Sequence, residues 1–335
     1  SEKFLDDRDM IGAGDSVLLI VEDDPHYARI LIDLAHDFGW KVLLAMRGVD
    51  AIQLAQEFNP TAVSLDIFLP DMLGWNVLTQ LKQNPTTRHI PVQIVTMEED
   101  RQHGLARGAF TFVTKPSSRD ALVGALAKIR SFAATDRRRL LVVEDDAAEL
   151  LSIHSLLAHE DVEITTAETG EEALQILREQ GCDCVVLDLK LPDINGFEVL
   201  EQMRSDPAIA DTPVVVFTGR ELSIEEDAKL HAMARSVVVK GVESPERLLD
   251  ETSLFLHRIV GNLPIEKQRM LERLHSTDEH LEGRAVLLVD DDARNIFALS
   301  SVLERRGMRV YTASTGSEAL SLMHEHDDIA IVLTD

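Results

Sequence analysis

Four kinds of residue recur in one order along this chain: an acidic pair, a lone aspartate, a threonine and a lysine. They are Glu22 and Asp23, Asp66, Thr96 and Lys115, followed by Glu144 and Asp145, Asp188, Thr218 and Lys240. Asp23, Asp66 and Thr96 become Asp145, Asp188 and Thr218 by one constant displacement of 122 residues. Three carboxylates in one pocket stay ionised together only when a cation offsets them, and hard oxygen donors with room for water suit Mg2+. A lysine beside such an ion leaves positive charge for an incoming phosphoryl group. The aspartate can then attack phosphorus and form an acyl phosphate, while the threonine hydroxyl hydrogen-bonds a phosphoryl oxygen.

The surrounding sequence shows which elements must hold these residues. LLIVEDD (18–24) returns as LLVVEDD (140–146) and again as VLLVDDD (286–292). AVSLDIFLPDMLGWNVL (62–78) matches CVVLDLKLPDINGFEVL (184–200), and VQIVTMEED (92–100) matches VVVFTGREL (214–222). Repetition at a fixed offset means one supersecondary plan used more than once. Within a repeat, apolar runs without polar alternation are separated by segments of helical period, the pattern of a parallel sheet covered on both faces. The predicted architecture is a doubly wound α/β unit, and such sheets bind ligands beyond the carboxyl ends of their strands. Glu22 and Asp23 follow strand one, Asp66 ends strand three, Thr96 ends strand four and Lys115 ends strand five, so all meet at one crevice. The predicted division is a lead-in (1–15), a first domain (16–134), a second (135–260), a helical linker (261–283) and the N-terminal half of a third (284–335).

These motifs, in this order and twice over, resemble the receiver domain of two-component response regulators. Its fold is a flavodoxin-like five-stranded parallel sheet, here in two complete copies and one truncated copy. The resemblance implies that Asp23 and Asp66, and likewise Asp145 and Asp188, ligate Mg2+, with Glu22 and Glu144 acting through water. Phe68 and Lys190, two residues past each acceptor, would lend backbone carbonyls, and Lys115 and Lys240 would contact the phosphoryl group. The expected partner is a histidine kinase or a histidine phosphotransfer domain, whose phosphohistidine supplies the group. Each domain would promote its own phosphorylation and dephosphorylation and then change the face built around its last strand.

Three departures modify the expectation. Gly219 follows Thr218, but Met97 follows Thr96, and its bulk makes the first copy the slower acceptor. The family's switch aromatic is matched by Phe112 in the first copy, but Val237, which has no ring, stands there in the second, so the second copy is expected to signal by some other movement. Gly241 replaces Pro116 after the lysine, so a trans bond and a reshaped loop are expected there. The third copy offers Asp290, Asp291 and Asp335 but no threonine or lysine, and on this reading cannot complete the chemistry.

A formal charge of −26, from 33 Lys and Arg against 59 Asp and Glu, argues against nucleic acid or an anionic membrane surface as a partner. No apolar run approaches the ~20 residues of a membrane span. Cys182 and Cys184 are read as buried thiols of a reducing, cytoplasmic protein whose parent can be membrane-associated. GAG (12–14) lacks the rest of a nucleotide fingerprint and reads as a flexible lead-in. A helix is expected over 244–260 and another over 263–276, with Leu248, Leu249, Leu256, Ile259 and Val260 packing within the chain or forming a homodimer face. Tandem receivers followed by a third copy look like the receiver region of a hybrid sensor histidine kinase. A freestanding multi-receiver regulator and a docking scaffold with degenerate copies are the alternatives. A Mg2+-dependent phosphatase is set aside, because haloacid-dehalogenase-like enzymes place a second Asp where Phe68 and Lys190 stand.

Overall fold

The computed structural model describes residues 6–96, 108–115, 117–135, 137–220, 222–241, 244–281, 283–290, 292, 295–296, 299–300, 303–304, 307–326 and 328–334. The chain divides into two compact units, one up to Leu263 and one from Pro264 onward.

In the first repeat, β1 (Val17–Val21), β2 (Lys41–Ala45), β3 (Ala62–Asp66), β4 (Val92–Thr96) and β5 (Thr111–Thr114) form a parallel sheet in the order β2-β1-β3-β4-β5. All five residues of β1, β3 and β4 are buried. Alternation along β1 sends Leu18 and Ile20 to one face and Leu19 and Val21 to the other. The first face is covered by α1 (Pro25–Asp37) and α4 (Arg119–Ala133), through Leu31, Leu122 and Leu126. The second is covered by α2 (Gly48–Phe58) and α3 (Gly74–Gln83), through Leu54, Val77 and Leu81. Burying both faces is what makes a nearly continuous apolar strand stable.

The second repeat rebuilds this plan with β6 (Arg138–Val143), β7 (Val162–Ala167), β8 (Cys184–Leu187), β9 (Val214–Thr218) and β10 (Ser236–Val239), in the order β7-β6-β8-β9-β10. Its helices are α5 (Ala147–Leu157), α6 (Gly170–Glu179), α7 (Gly196–Ser205), α8 (Ile224–Met233) and α9 (Ser244–Phe255). The two repeats pack together within the first unit. Arg88, buried after α3, pairs with Asp250 of α9 at 2.5 Å. The ring of His257 meets Phe110 edge-on at 5.7 Å and Phe132 at 5.4 Å. These contacts sit at the amino ends of β4 and β5, opposite the rim that carries Asp66.

The second unit holds α10 (Ile265–Leu281), β11 (Ala285–Val289), β12 (Arg309–Ala313), α11 (Gly316–Glu325) and β13 (Ile329–Thr334), with its sheet ordered β12-β11-β13. This is the same strand order as the first three strands of each complete sheet.

Some local expectations change. The helix predicted over 244–260 stops at Phe255, because His257 takes the left-handed conformation (φ 52°) and Arg258 turns back to Asp161 at 2.8 Å and 2.9 Å. Leu248, Leu249 and Leu256 are buried within the unit, whereas Ile259 is exposed. The helix predicted over 263–276 runs from Ile265 to Leu281. Cys184 opens β8 and is buried, but Cys182 lies ahead of the strand and is only half-buried. Burial pushes the Cys182 thiol up to about 12 and raises that of Cys184 as well, so neither is a reactive thiolate. Ahead of GAG the lead-in is tethered: the Asp7 N–H donates to the Val42 carbonyl, and Asp7 Oδ2 accepts from the Val42 N–H, both at 2.8 Å. That pairing occupies the free edge of β2.

Candidate functional site

Each acidic pair begins where its first strand ends. The Glu22 N–H donates to the Ala45 carbonyl and the Glu144 N–H to that of Ala167, both at 3.0 Å, which holds the turn against the neighbouring strand. Glu22 and Glu144 are buried, while Asp23 and Asp145 face solvent. The third acid of each run has a different task. Asp24 Oδ1 accepts from the backbone N–H groups of His26 and Tyr27, and Asp146 Oδ1 from those of Ala148 and Glu149. Each caps a helix, and those bonds hold both carboxyls below the usual carboxylate range.

Asp66 ends β3, Asp188 follows β8, and both are buried. Oxygens of Glu22, Asp23 and Asp66 lie within 4.8 Å of one another, as do those of Glu144, Asp145 and Asp188. Two sets of three carboxylates, each with one member open to water, fit a hard divalent ion. Phe68 donates its N–H to Asp66 Oδ1 at 3.2 Å, and its side chain is exposed. Lys190 is exposed two residues past Asp188, whose Oδ1 accepts from the Leu189 N–H at 2.7 Å.

The lysines reach in from the last strands. The Lys115 N–H donates to the Thr96 carbonyl at 2.7 Å and the Lys240 N–H to the Thr218 carbonyl at 2.8 Å, so both backbones are placed alike. Lys115 Nζ then donates to Asp66 Oδ2 at 2.6 Å and Glu22 Oε2 at 2.7 Å, with the Tyr27 ring centre 4.3 Å away. Lys240 Nζ bonds Glu149, reaches Glu144 Oε2 at 3.1 Å, and stands 3.5 Å from Asp188 Oδ2. Burial pushes Glu22 and Glu144 up to about 7, and the lysines offset this only in part. Burial also disfavours each lysine's charge, but the hydrogen bonds to Asp66 and Glu22, and to Glu149 and Glu144, outweigh it and keep both above their usual range.

Thr96 and Thr218 end β4 and β9 and are buried. The register pairs Val95 with Asp66, which puts Thr96 one residue beyond Asp66 on the adjacent strand. Gly219 lies under Lys240, where a Cβ would stand 3.5 Å from the lysine Cδ. Met97 and Pro116 lie outside the described residues. Phe112 is partly buried, its ring 6.2 Å from that of Trp75, and Val237 packs against the second core. In the third repeat Asp290 follows β11 and accepts from the Asp292 N–H at 2.7 Å and from Asn295 at 3.0 Å. Asp291 and Asp335 lie outside the described residues.

Sequence reasoning passed over two matched pairs. Asp71 accepts from the Gly48 and Val49 N–H groups, and Asp193 from those of Gly170 and Glu171, tying the loops after Asp66 and Asp188 to the start of a neighbouring helix. Their place in LPDMLG and LPDING was the available signal. Tyr27 and Glu149, also 122 residues apart, touch the two lysines; unlike residue types at matched positions gave no pattern to find.

Residues 18–127 and 140–252 each match the response regulator receiver domain. The chain is 27% identical over 228 residues to the response regulator PleD of Caulobacter vibrioides, covering 59% of this chain and 50% of that protein. It is 34% identical over 158 residues to the probable transcriptional regulatory protein TcrX of Mycobacterium tuberculosis, covering 45% and 66%. Among solved structures, the phosphorylated cyanobacterial phytochrome response regulator RcpA matches 36% of this chain and 94% of its own at 29% identity, with a TM-score of 0.32. The chain thus spans about half the length of the first of these relatives.

Proposed function

The chain belongs to the response regulator receiver domain family, and from that premise we propose that each complete repeat accepts a phosphoryl group, on Asp66 and on Asp188. One observation carries the reading: in both repeats an aspartate, an acidic pair and a lysine from separate strands converge on one pocket. A carboxylate oxygen of the aspartate attacks phosphorus. The bond between phosphorus and the donor histidine nitrogen breaks, and its electron pair stays on that nitrogen. Lys115 or Lys240 offsets the added negative charge, and the Thr96 or Thr218 hydroxyl donates to a phosphoryl oxygen. Mg2+ fits among Glu22, Asp23 and Asp66, and among Glu144, Asp145 and Asp188, with the Phe68 and Lys190 carbonyls as further ligands; when bound, it neutralises carboxylate and phosphoryl charge.

The partner in this reading is a phosphohistidine on a kinase or phosphotransfer domain. The parent reading is the receiver region of a hybrid sensor histidine kinase. A multi-receiver response regulator is the second reading, favoured by a match to PleD that runs across 228 residues. No helix among the described residues is long and apolar enough to cross a membrane, and a cytoplasmic location is part of the proposal. Incubating the chain with Mg2+ and acetyl phosphate, then locating acyl phosphate by peptide mass spectrometry, tests the central claim. Modification at Asp66 and Asp188 is expected. A chain modified at neither serves as a docking scaffold instead, and steady release of phosphate from assorted phosphomonoesters would identify a phosphatase.

A further inference from the structure

We propose that Glu149 restrains the second receiver by holding Lys240 away from Asp188, whereas Tyr27 stands at the matching position of the first receiver. The inference rests on the phosphoacceptor reading above. The two lysines leave equivalent backbone positions, each N–H bonded to the carbonyl of its threonine. They differ at their tips. Lys115 Nζ sits 2.6 Å from its acceptor, whereas Lys240 Nζ sits 3.5 Å from its own and bonds Glu149.

The residue opposite each lysine accounts for the difference. Tyr27 and Glu149 occupy the third position of helices α1 and α5, and each donates its backbone N–H to the capping aspartate. Tyr27 presents a ring face, 4.3 Å from Lys115 Nζ, and its hydroxyl donates to Ser117 Oγ at 3.3 Å. A ring face attracts an ammonium without adding a full negative charge to the pocket. Glu149 instead adds a carboxylate that competes with Asp188 for the same cation. Its side chain is 45% exposed, so it stands at the mouth of the site, where a phosphoryl donor must enter.

Phosphorylation of Asp188 raises the negative charge facing Lys240. The lysine must then be drawn from Glu149, and the remaining carboxylate repels the new group. Glu149 therefore works against the access that Gly219 provides. It acts through Lys240 and makes no bond to phosphorus, which makes it a positioning residue.

The test uses the full chain with Mg2+ and acetyl phosphate, following Asp66 and Asp188 in the same sample. Glu149→Gln keeps the side chain's size and removes its charge. It should speed modification of Asp188 about fivefold, the rate equivalent of a half-exposed ion pair worth ~1 kcal/mol, and leave Asp66 unchanged. Glu149→Asp, which keeps the charge, should stay near the wild-type rate. Raising the salt concentration should shrink the gap between wild type and Glu149→Gln. Affinity for beryllium fluoride, a non-reacting stand-in for the phosphoryl group, should rise at Asp188 in the same variant. The converse change, Tyr27→Glu, should slow Asp66. Equal Asp188 rates and beryllium fluoride affinities for wild type and Glu149→Gln, with both aspartates modified, overturn the role of Glu149 alone. A wild-type chain modified at neither aspartate overturns the phosphoacceptor reading and this inference with it.

Discussion

Replacing Gly74 by alanine should damage the first site from outside it. Gly74 opens α3 and donates its N–H to the Ile67 carbonyl at 2.7 Å, which draws the helix start against the end of β3. A Cβ added there would lie 2.2 Å from the carbonyl oxygen of Asp66 and 2.8 Å from Ile67 Cα. An ordinary carbon–oxygen contact is more than 3 Å, so helix and strand end must separate by roughly 1 Å. Overpacking of this kind costs about 1–3 kcal/mol, against ~0.4–1 kcal/mol gained because alanine restricts the unfolded chain. A net loss of about 1 kcal/mol should lower the urea midpoint of the first receiver by about 0.5 M.

The effect on chemistry should be larger, because the displaced residue is the proposed acceptor itself. A misplacement of ~1 Å can cost on the order of 100-fold in rate. The assay is time-resolved acetyl phosphate labelling with Mg2+, in which Asp188 of the same chain is the internal control. At Gly196 the corresponding contacts are 2.9 Å to the Asp188 carbonyl oxygen and 2.8 Å to Leu189 Cα, so Gly196→Ala should show a milder loss at Asp188. Gly48→Ala is the contrast: its Cβ would meet side chains, Met72 at 2.5 Å and Val77 at 2.9 Å, so the strain falls on packing and not on the backbone of Asp66. If Gly74→Ala labelled Asp66 within twofold of wild type and unfolded at the same urea concentration, the claimed close approach would be wrong.

Lys115→Met should slow labelling of Asp66 by about 100-fold or more while Asp188 labels normally, since the offsetting charge is supplied separately in each pocket. Equal slowing at both aspartates would contradict two independent sites. Arg88→Ala should destabilise the first unit by about 3 kcal/mol in urea titrations, because it removes one member of a largely buried ion pair; a double-mutant cycle with Asp250→Ala should show part of that as coupling, and additive losses would deny the pair a role in joining the repeats. Lys82 is buried, and desolvation, then the nearby Arg88 charge, pulls it from 10.5 down to about 7. Between those values the unfolded chain holds a proton that the folded chain has released, so this residue's contribution makes stability rise with pH. Wild type should therefore gain on Lys82→Met by up to ~1.4 kcal/mol per pH unit between about pH 7.5 and 9.5. Parallel stability curves for the two proteins would rule out a depressed Lys82.

Repetition made much of this protein legible from its letters. Apolar strands without polar alternation can be stable only between covering helices, so the doubly wound plan follows from composition and period, and acceptor, acidic pair, threonine and lysine follow from strand ends. Asp66 and Lys115 lie 49 residues apart in the chain and 2.6 Å apart in space for that reason. Contacts set by side-chain reach were not legible. That His257 turns the chain and meets Phe110 and Phe132 depends on how two complete repeats pack, which no local pattern encodes. That Lys240 bonds Glu149 while Lys115 faces the Tyr27 ring was decided only in three dimensions. A motif records which residue types recur, whereas a long flexible ammonium settles among whatever charges the folded chain brings within a few ångströms of it.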